Sequence, residues 1–200
     1  MGLNALLNQL YAKIKFEITC WLFYNKKERA EEDWVNFLKS LERARKIIGD
    51  EAYRIAEKYN TKRRVKWLKN HKKEIEEIAS TCSDPAELII KVFYEGYLGC
   101  KFSGEEKDSA LIKKERIGNS IILHFICGNE CPILKYSTKL GIDNLPICKN
   151  VYERGAEVFL NVLMNLTCKK CEVAYTRDYH SLRPGKLFCH EKVTVSCKNE

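Results

Sequence analysis

The stretch "CGNECPILKYSTKLGIDNLPIC", residues 127–148, holds three cysteines at spacings that suit chemistry. Zinc takes four soft or borderline ligands, and Cys-x2-4-Cys lets one tight turn aim two thiolates at one ion. Cys127-x3-Cys131 fits that spacing, and so does Cys168-x2-Cys171. Cys131 precedes a proline at the start of an apolar run, where a helix N-terminus stabilises a thiolate. Cys148 is placed at the start of a second helix, with the same advantage. Cys189 and His190 come from the final strand, which an antiparallel sheet can bring beside the strand ending at Cys127. The expected constellation is Cys131, Cys148 and Cys189, with His180, Cys127 or His190 as the fourth ligand. Four closed ligands make a structural zinc site. Three cysteines and an open position suit catalysis, iron or an iron–sulfur cluster. Two other readings stand beside these: a disulfide within the set, or plain burial, since free cysteines commonly serve as small core hydrophobes.

No complete catalytic set accompanies the thiols. A Cys131–His180 nucleophile pair is conceivable, but nothing local marks an oxyanion hole and no Gly-x-Ser-x-Gly is present. His124 lies within an apolar strand, where a neutral imidazole satisfies itself readily.

The elements that must position these residues follow from periodicity. Residues 3–23 read as an amphipathic helix, with Leu3, Leu6, Leu7, Leu10, Tyr11 and Ile14 at helical spacing. Residues 28–48 repeat the pattern through Trp34, Phe37, Leu38, Leu41, Ala44 and Ile48. A third helix starts after Asp50. Asn60 and Thr61 are expected to break it before a basic continuation to about residue 80. "SDPAEL" is the clearest start signal: Asp84 as cap, Pro85 at the first helical position, and Glu87 three residues after the cap. Then the pattern changes. Two extended runs flank Gly118-Asn119, a turn pair. Ile121, Leu123, Phe125 and Cys127 share one face of the second run; Ile122, His124 and Ile126 share the other. A short helix from Cys131 to Gly141 and a longer one over 149–166 follow. In the longer one, Gly155 beside Ala156 suggests a close approach to another element. "CEVAYTRDY" and "LFCHEKVTVSC" alternate as two last strands. The reading is α+β: an antiparallel sheet of about four strands packed against helices, preceded by an N-terminal helical segment. The division is a helical segment over 1–82 and an α/β domain over 83–200.

Composition narrows the class. The chain has 200 residues, 45% hydrophobic and 31% charged, as ordinary globular proteins do. No apolar run is long enough for a membrane span, and the N-terminus, interrupted by Lys13, Lys15 and Glu17, is not a signal peptide. The expected location is the cytoplasm, where ten cysteines stay reduced rather than forming five bridges. The net charge of +8 concentrates in "TKRRVKWLKNHKK", residues 61–73. A nucleic-acid-associated protein is one reading of that run. A solvated helix face is the preferred one, because acidic residues lie close by and no nucleic-acid motif is present.

"CPILKYSTKLGIDNLPICKNVYERGAEVFLNVL" followed by "PGKLFC" resembles the 4-vinyl reductase-like domain and the neighbouring L-2-amino-thiazoline-4-carboxylic acid hydrolase-like proteins. The matching features are Cys131-Pro132, Cys148, and the turn from Gly185 to Cys189. The helical "DWVNFLKSLERARKIIGDEAYRIAEKY" resembles the front half of the second group. The resemblance implies a mixed α/β fold that binds small, often hydrophobic molecules, in some members with a metal and in many as a homodimer. The chain departs from the pattern at Ser181, where the family often has a cysteine, and at Lys186, where it usually has an acid. The function this supports is binding or sensing of a small hydrophobic or carboxylated ligand, with no membrane partner. Hydrolysis of a small heterocyclic carboxylate is the alternative. Phe125, Tyr152, Phe159, Leu163 and Tyr175 are the expected apolar walls of the ligand site.

Overall fold

A computed structural model describes residues 2–100, 111–127, 131–167, 169–178 and 189–197. The chain forms an α+β fold with a four-stranded antiparallel sheet and an N-terminal helical segment. Helices α1 (Leu3–Asn25), α2 (Glu31–Ile48), α3 (Glu51–Asn70) and α4 (Lys72–Thr81) come first. Helix α5 (Pro85–Ile89) runs on into a π-helical segment, Ile90–Tyr97. Strands β1 (Leu111–Ile117) and β2 (Ser120–Cys127) form a hairpin about Gly118, whose φ of 57° only glycine takes without strain. Helix α6 (Pro132–Leu140) stops at Gly141. Helix α7 (Leu145–Ile147) passes through a second π-helical segment, Cys148–Glu153, into α8 (Arg154–Leu166). Strands β3 (Cys171–Arg177) and β4 (Cys189–Cys197) finish the chain.

The sheet order is β1-β2-β4-β3. The interior place of β2 agrees with its two apolar faces. One side of the sheet is buried by Leu123, Phe125, Val193, Val195, Val173 and Tyr175, which pack with Phe159, Leu160 and Leu163 of α8. The other side is open and carries His124, half-buried, and His190, whose rings face each other with Nδ1 and Nε2 3.3 Å apart. A second core lies among α1, α2, α3, α6 and the second π-helical segment. Phe16, Phe37, Leu38, Leu41, Ala52, Ile133 and Val151 anchor it.

Local capping follows the sequence. The Asp84 side chain accepts from the Glu87 backbone N–H at 2.9 Å, and the Glu87 carboxylate accepts from the Ser83 backbone N–H at 2.7 Å. That second bond, reinforced by Lys91, holds the Glu87 carboxyl down at about 2.

Three expectations change. Helix α3 is not broken at Asn60. The side chain of Asn60 is buried, donating to the Val151 carbonyl at 3.1 Å and accepting from Arg64 Nε at 3.3 Å. Tertiary partners occupy it, so it does not compete for its own helix backbone, and the break falls at His71 instead. Helix α8 is part of a longer helical run beginning at Leu145. Most consequential, the apolar stripe of α1 faces outward. Leu3, Leu6, Leu7, Leu10, Tyr11, Ile14, Ile18, Trp21 and Leu22 are all exposed, while Ala12, Phe16, Cys20, Phe23 and Tyr24 fill the core. The helix is apolar on both sides, and the buried stripe lies on the side opposite to the one the leucines mark. No helix among the described residues is long and apolar enough to cross a membrane.

Candidate functional site

A buried polar cluster sits where β3 and β4 meet α6 and the second π-helical segment. Strand alternation builds it. Residues Val173, Tyr175 and Arg177 of β3 share the covered face, as do Cys189, Glu191, Val193 and Val195 of β4. Arg177 and Glu191 are direct register partners. Their side chains pair at 3.1 Å, only 8% and 5% exposed. Arg177 Nε donates to the Tyr175 hydroxyl at 3.1 Å. The Tyr94 hydroxyl donates to Glu191 Oε2 at 3.3 Å, and the Cys189 thiol approaches Glu191 Oε1 at 3.7 Å. Burial raises the Tyr94 and Tyr175 hydroxyl pKa values well above their ordinary range, so both are neutral donors.

Three of the expected cysteines reach this cluster. Cys131 caps the N-terminus of α6. Cys148 and Cys189 are fully buried. All three lie close enough to one another and to Arg177 to interact electrostatically. Their protonation departs from expectation. Burial pushes each thiol up, and the nearby Arg177 charge only partly offsets it. Cys148 rises to about 11 and Cys189 goes higher. At Cys131 the backbone N–H groups of Ile133 and Leu134 pull the other way, as a helix N-terminus should, yet burial wins. Cys148 gains no such help. It lies inside the helical run, its N–H already donating to the Asn144 carbonyl at 2.8 Å. The Asn144 side-chain N–H reaches Cys148 Sγ at 3.9 Å.

A metal ion at the three sulfurs would sit beside the buried Arg177 guanidinium, one cation next to another. Among the described residues no group of three or more His, Cys, Asp or Glu side chains could hold a metal. His190 alternates to the opposite side of the sheet from Cys189 and pairs with His124 there. His180 and the side chain of Cys127 lie outside the described residues; the Cys127 backbone pairs with Cys189 across β2 and β4. Cys168 lies outside them too, and its expected partner Cys171 is instead disulfide-bonded to Cys197.

The expected ligand walls are all buried. Phe125, Phe159, Leu163 and Tyr175 belong to the core beneath the sheet, and Tyr152 to the core among the helices. Of these five, Tyr175 hydrogen-bonds within the polar cluster and Phe125 stacks on Tyr94, ring centroids 4.1 Å apart.

Sequence reasoning missed Arg177, Glu191, Asn144 and Tyr94. A signal existed: Arg177 continues the parity of Val173 and Tyr175, and Glu191 that of Val193 and Val195. A charge on the apolar side of each of two strands is a pair in waiting.

Among the described residues, two buried polar atoms of the cluster have no hydrogen-bond partner: Arg177 Nη1 and Asn144 Oδ1. One is a donor and the other an acceptor. The chain matches no family model, no curated protein and no solved structure.

Proposed function

We propose that the protein is a small-molecule binding or sensing domain of the 4-vinyl reductase-like type, and that its ligand docks on Arg177. The observation that carries this reading is Arg177 Nη1, a charged donor buried without an acceptor among the described residues. Such a group costs stability unless something satisfies it. Glu191 already neutralises Arg177, so the cluster does not select for excess negative charge. It suits a ligand that brings an oxygen acceptor for Arg177 together with an N–H for Asn144 Oδ1. A carboxylate beside an amine or ring N–H has that pattern, and the resemblance to proteins acting on an amino-thiazoline carboxylate supports it. Turnover is not part of the proposal: burial raises the pKa of each thiol in the cluster, the opposite of what activates a nucleophile.

The test is a thermal-shift and calorimetric titration with 2-aminothiazoline-4-carboxylate and with benzoate. Saturable binding of the first, lost in Asn144→Leu, supports the reading. Absence of saturable binding by either probe sinks it, and hydrolysis of the first would establish the enzyme alternative. Elemental analysis of the same protein tests the cysteine-ligated zinc or iron alternative. About one metal per chain, released on replacing Cys131, would favour that one.

The partner we propose for α1 is a second copy of the chain. A helix with apolar stripes on two opposite sides, one of them exposed, has a second side to cover. Leu3, Leu7, Leu10 and Ile14 follow the alternating four- and three-residue spacing of a helix-pairing seam, and Trp21 lies seven residues beyond Ile14, past Glu17. Nine exposed apolar side chains on one helix supply area of the order of the ~800 Å² per partner that a stable interface needs. A cytoplasmic location belongs to the same proposal. Six unpaired cysteines among the described residues suit a reducing compartment, and the Cys171–Cys197 disulfide, contrary to the expectation that all ten stay reduced, counts against it.

A further inference from the structure

The basic run over residues 61–73 does not all face water. Within α3, Arg64 is 4% exposed. Its Nε donates to Asn60 Oδ1 at 3.3 Å, and its guanidinium lies 5.4 Å from the Tyr97 ring and 5.7 Å from the Phe93 ring. Arg64 Nη1 is buried and has no acceptor among the described residues. Arg63, half-exposed, lies 6.0 Å over the same Tyr97 ring. A third arginine arrives from the α1–α2 connection. Arg29 Nε donates to the Phe23 carbonyl at 2.9 Å, its guanidinium lies against the Phe23, Trp34 and Tyr24 rings, and its buried Nη2 also lacks an acceptor among the described residues.

Arg63 and Arg64 share the Tyr97 ring, and Arg29 lies against Tyr24, whose hydroxyl meets that of Tyr152. Burial, and then the like charge of Arg63, lower the Arg29 pKa. Arg29 and Arg64 both act on Tyr152, whose hydroxyl lies 3.3 Å from that of Tyr24. Among the described residues no carboxylate pairs with any of the three arginines. Guanidinium groups drawn together, two of them with buried orphan N–H groups, repel one another and are poorly solvated. Such an arrangement is stable when an anion completes it. The rigid fork of arginine matches phosphate oxygens bidentately, and the Tyr24–Tyr152 hydroxyl pair keeps one O–H to donate. Three cations call for more charge than a single carboxylate carries. Arg29 and Arg63 stay partly exposed, which leaves an approach from solvent.

We propose that Arg29, Arg63 and Arg64, with the Tyr24–Tyr152 hydroxyl pair, form a binding site for the phosphate group of a small molecule. It is separate from the neutral Arg177 cluster and does not depend on what binds there.

The experiment uses the full chain, with inorganic phosphate and phenyl phosphate titrated at constant ionic strength against a chloride control. Saturable one-to-one binding is expected. It should weaken roughly tenfold in Arg63→Gln, as loss of one charge-assisted contact implies, and stay unchanged in Lys66→Gln, on the exposed part of the same helix. Arg63 is the residue of choice because it is half-exposed, so its replacement leaves the fold intact. Tighter binding of phenyl phosphate than of phosphate identifies an organic monoester as the ligand class; equal binding identifies free phosphate. Three outcomes overturn the proposal: no saturable binding of either anion, equal weakening in both variants, or binding of single-stranded oligonucleotide without either small anion.

Discussion

Gly155 of α8 passes so close to Asn60 of α3 that a Cβ at Gly155 would lie 2.5 Å from Asn60 Nδ2. Asn60 cannot yield freely, because that nitrogen donates to the Val151 carbonyl and its Oδ1 receives Arg64. Gly155→Ala should therefore cost about 1–3 kcal/mol, from overpacking and a displaced buried hydrogen bond. Chemical denaturation measures it. A change within a few tenths of a kcal/mol would show that the contact relaxes.

The Arg177–Glu191 pair makes an asymmetric prediction. Glu191→Leu or Arg177→Met alone leaves one charge buried without its partner and should cost about 3–5 kcal/mol. Replacing both, as Arg177→Met with Glu191→Leu, should cost clearly less than the two single losses added. A double-mutant cycle in urea reads the difference. Additive costs would mean that the two charges are stabilised by other groups.

The Cys171–Cys197 disulfide closes a loop across a sequence separation of 26. Cys171→Ala with Cys197→Ala should lower stability by about 3–4 kcal/mol on the loop-entropy account. Adding reductant to the unsubstituted protein should lower it similarly and leave the variant untouched. Equal stability of the oxidised protein and the variant would refute this.

The buried thiols set an alkaline limit. Cys148 and Cys100 rise from an ordinary 9.0 to about 11 in the fold, through burial. Between those values the folded state holds protons that the unfolded chain releases. Their contribution is whole below pH 9 and drains away as pH climbs toward 11. Urea midpoints should fall across that window, and Cys148→Ala should flatten the fall. Maleimide at neutral pH should label Cys82, which is partly exposed, well before Cys148 or Cys189.

The outward face of α1 predicts self-association. Leu10→Glu with Ile14→Lys should convert a dimer into a folded monomer, as judged by sedimentation and circular dichroism. Unsubstituted protein that sediments as a monomer at high micromolar concentration would refute the pairing.

The sheet was legible in the sequence because alternation is a local signal: Gly118-Asn119 marked the hairpin, and Ile121, Leu123 and Phe125 marked the covered face. The cap at Asp84 was legible for the same reason. Periodicity finds an apolar stripe but does not say what covers it, so Leu3, Leu7 and Leu10 were assigned to α1 correctly and the core-facing Phe16, Cys20 and Phe23 were passed over. The convergence of Cys131, Cys148 and Cys189 was anticipated. Their protonation was not, because it depends on burial and on Arg177, which come together only through the register of β3 with β4. Arg64 was hidden in a charge run whose members look alike until the helix is turned against its neighbours.

Because sulfur joins Cys171 to Cys197, the stretch from one to the other is a covalent ring, and Arg177, Cys189 and Glu191 are all carried on it. Unfolding in the oxidised state does not open the ring. Arg177 and Glu191 then remain tethered at short range, and the ion pair can re-form without a search by the free chain end. A peptide bond cut anywhere between residues 178 and 188 would likewise leave both pieces attached. The reduced chain has neither property, so its refolding should be slower and a single cut should release its C-terminal strand.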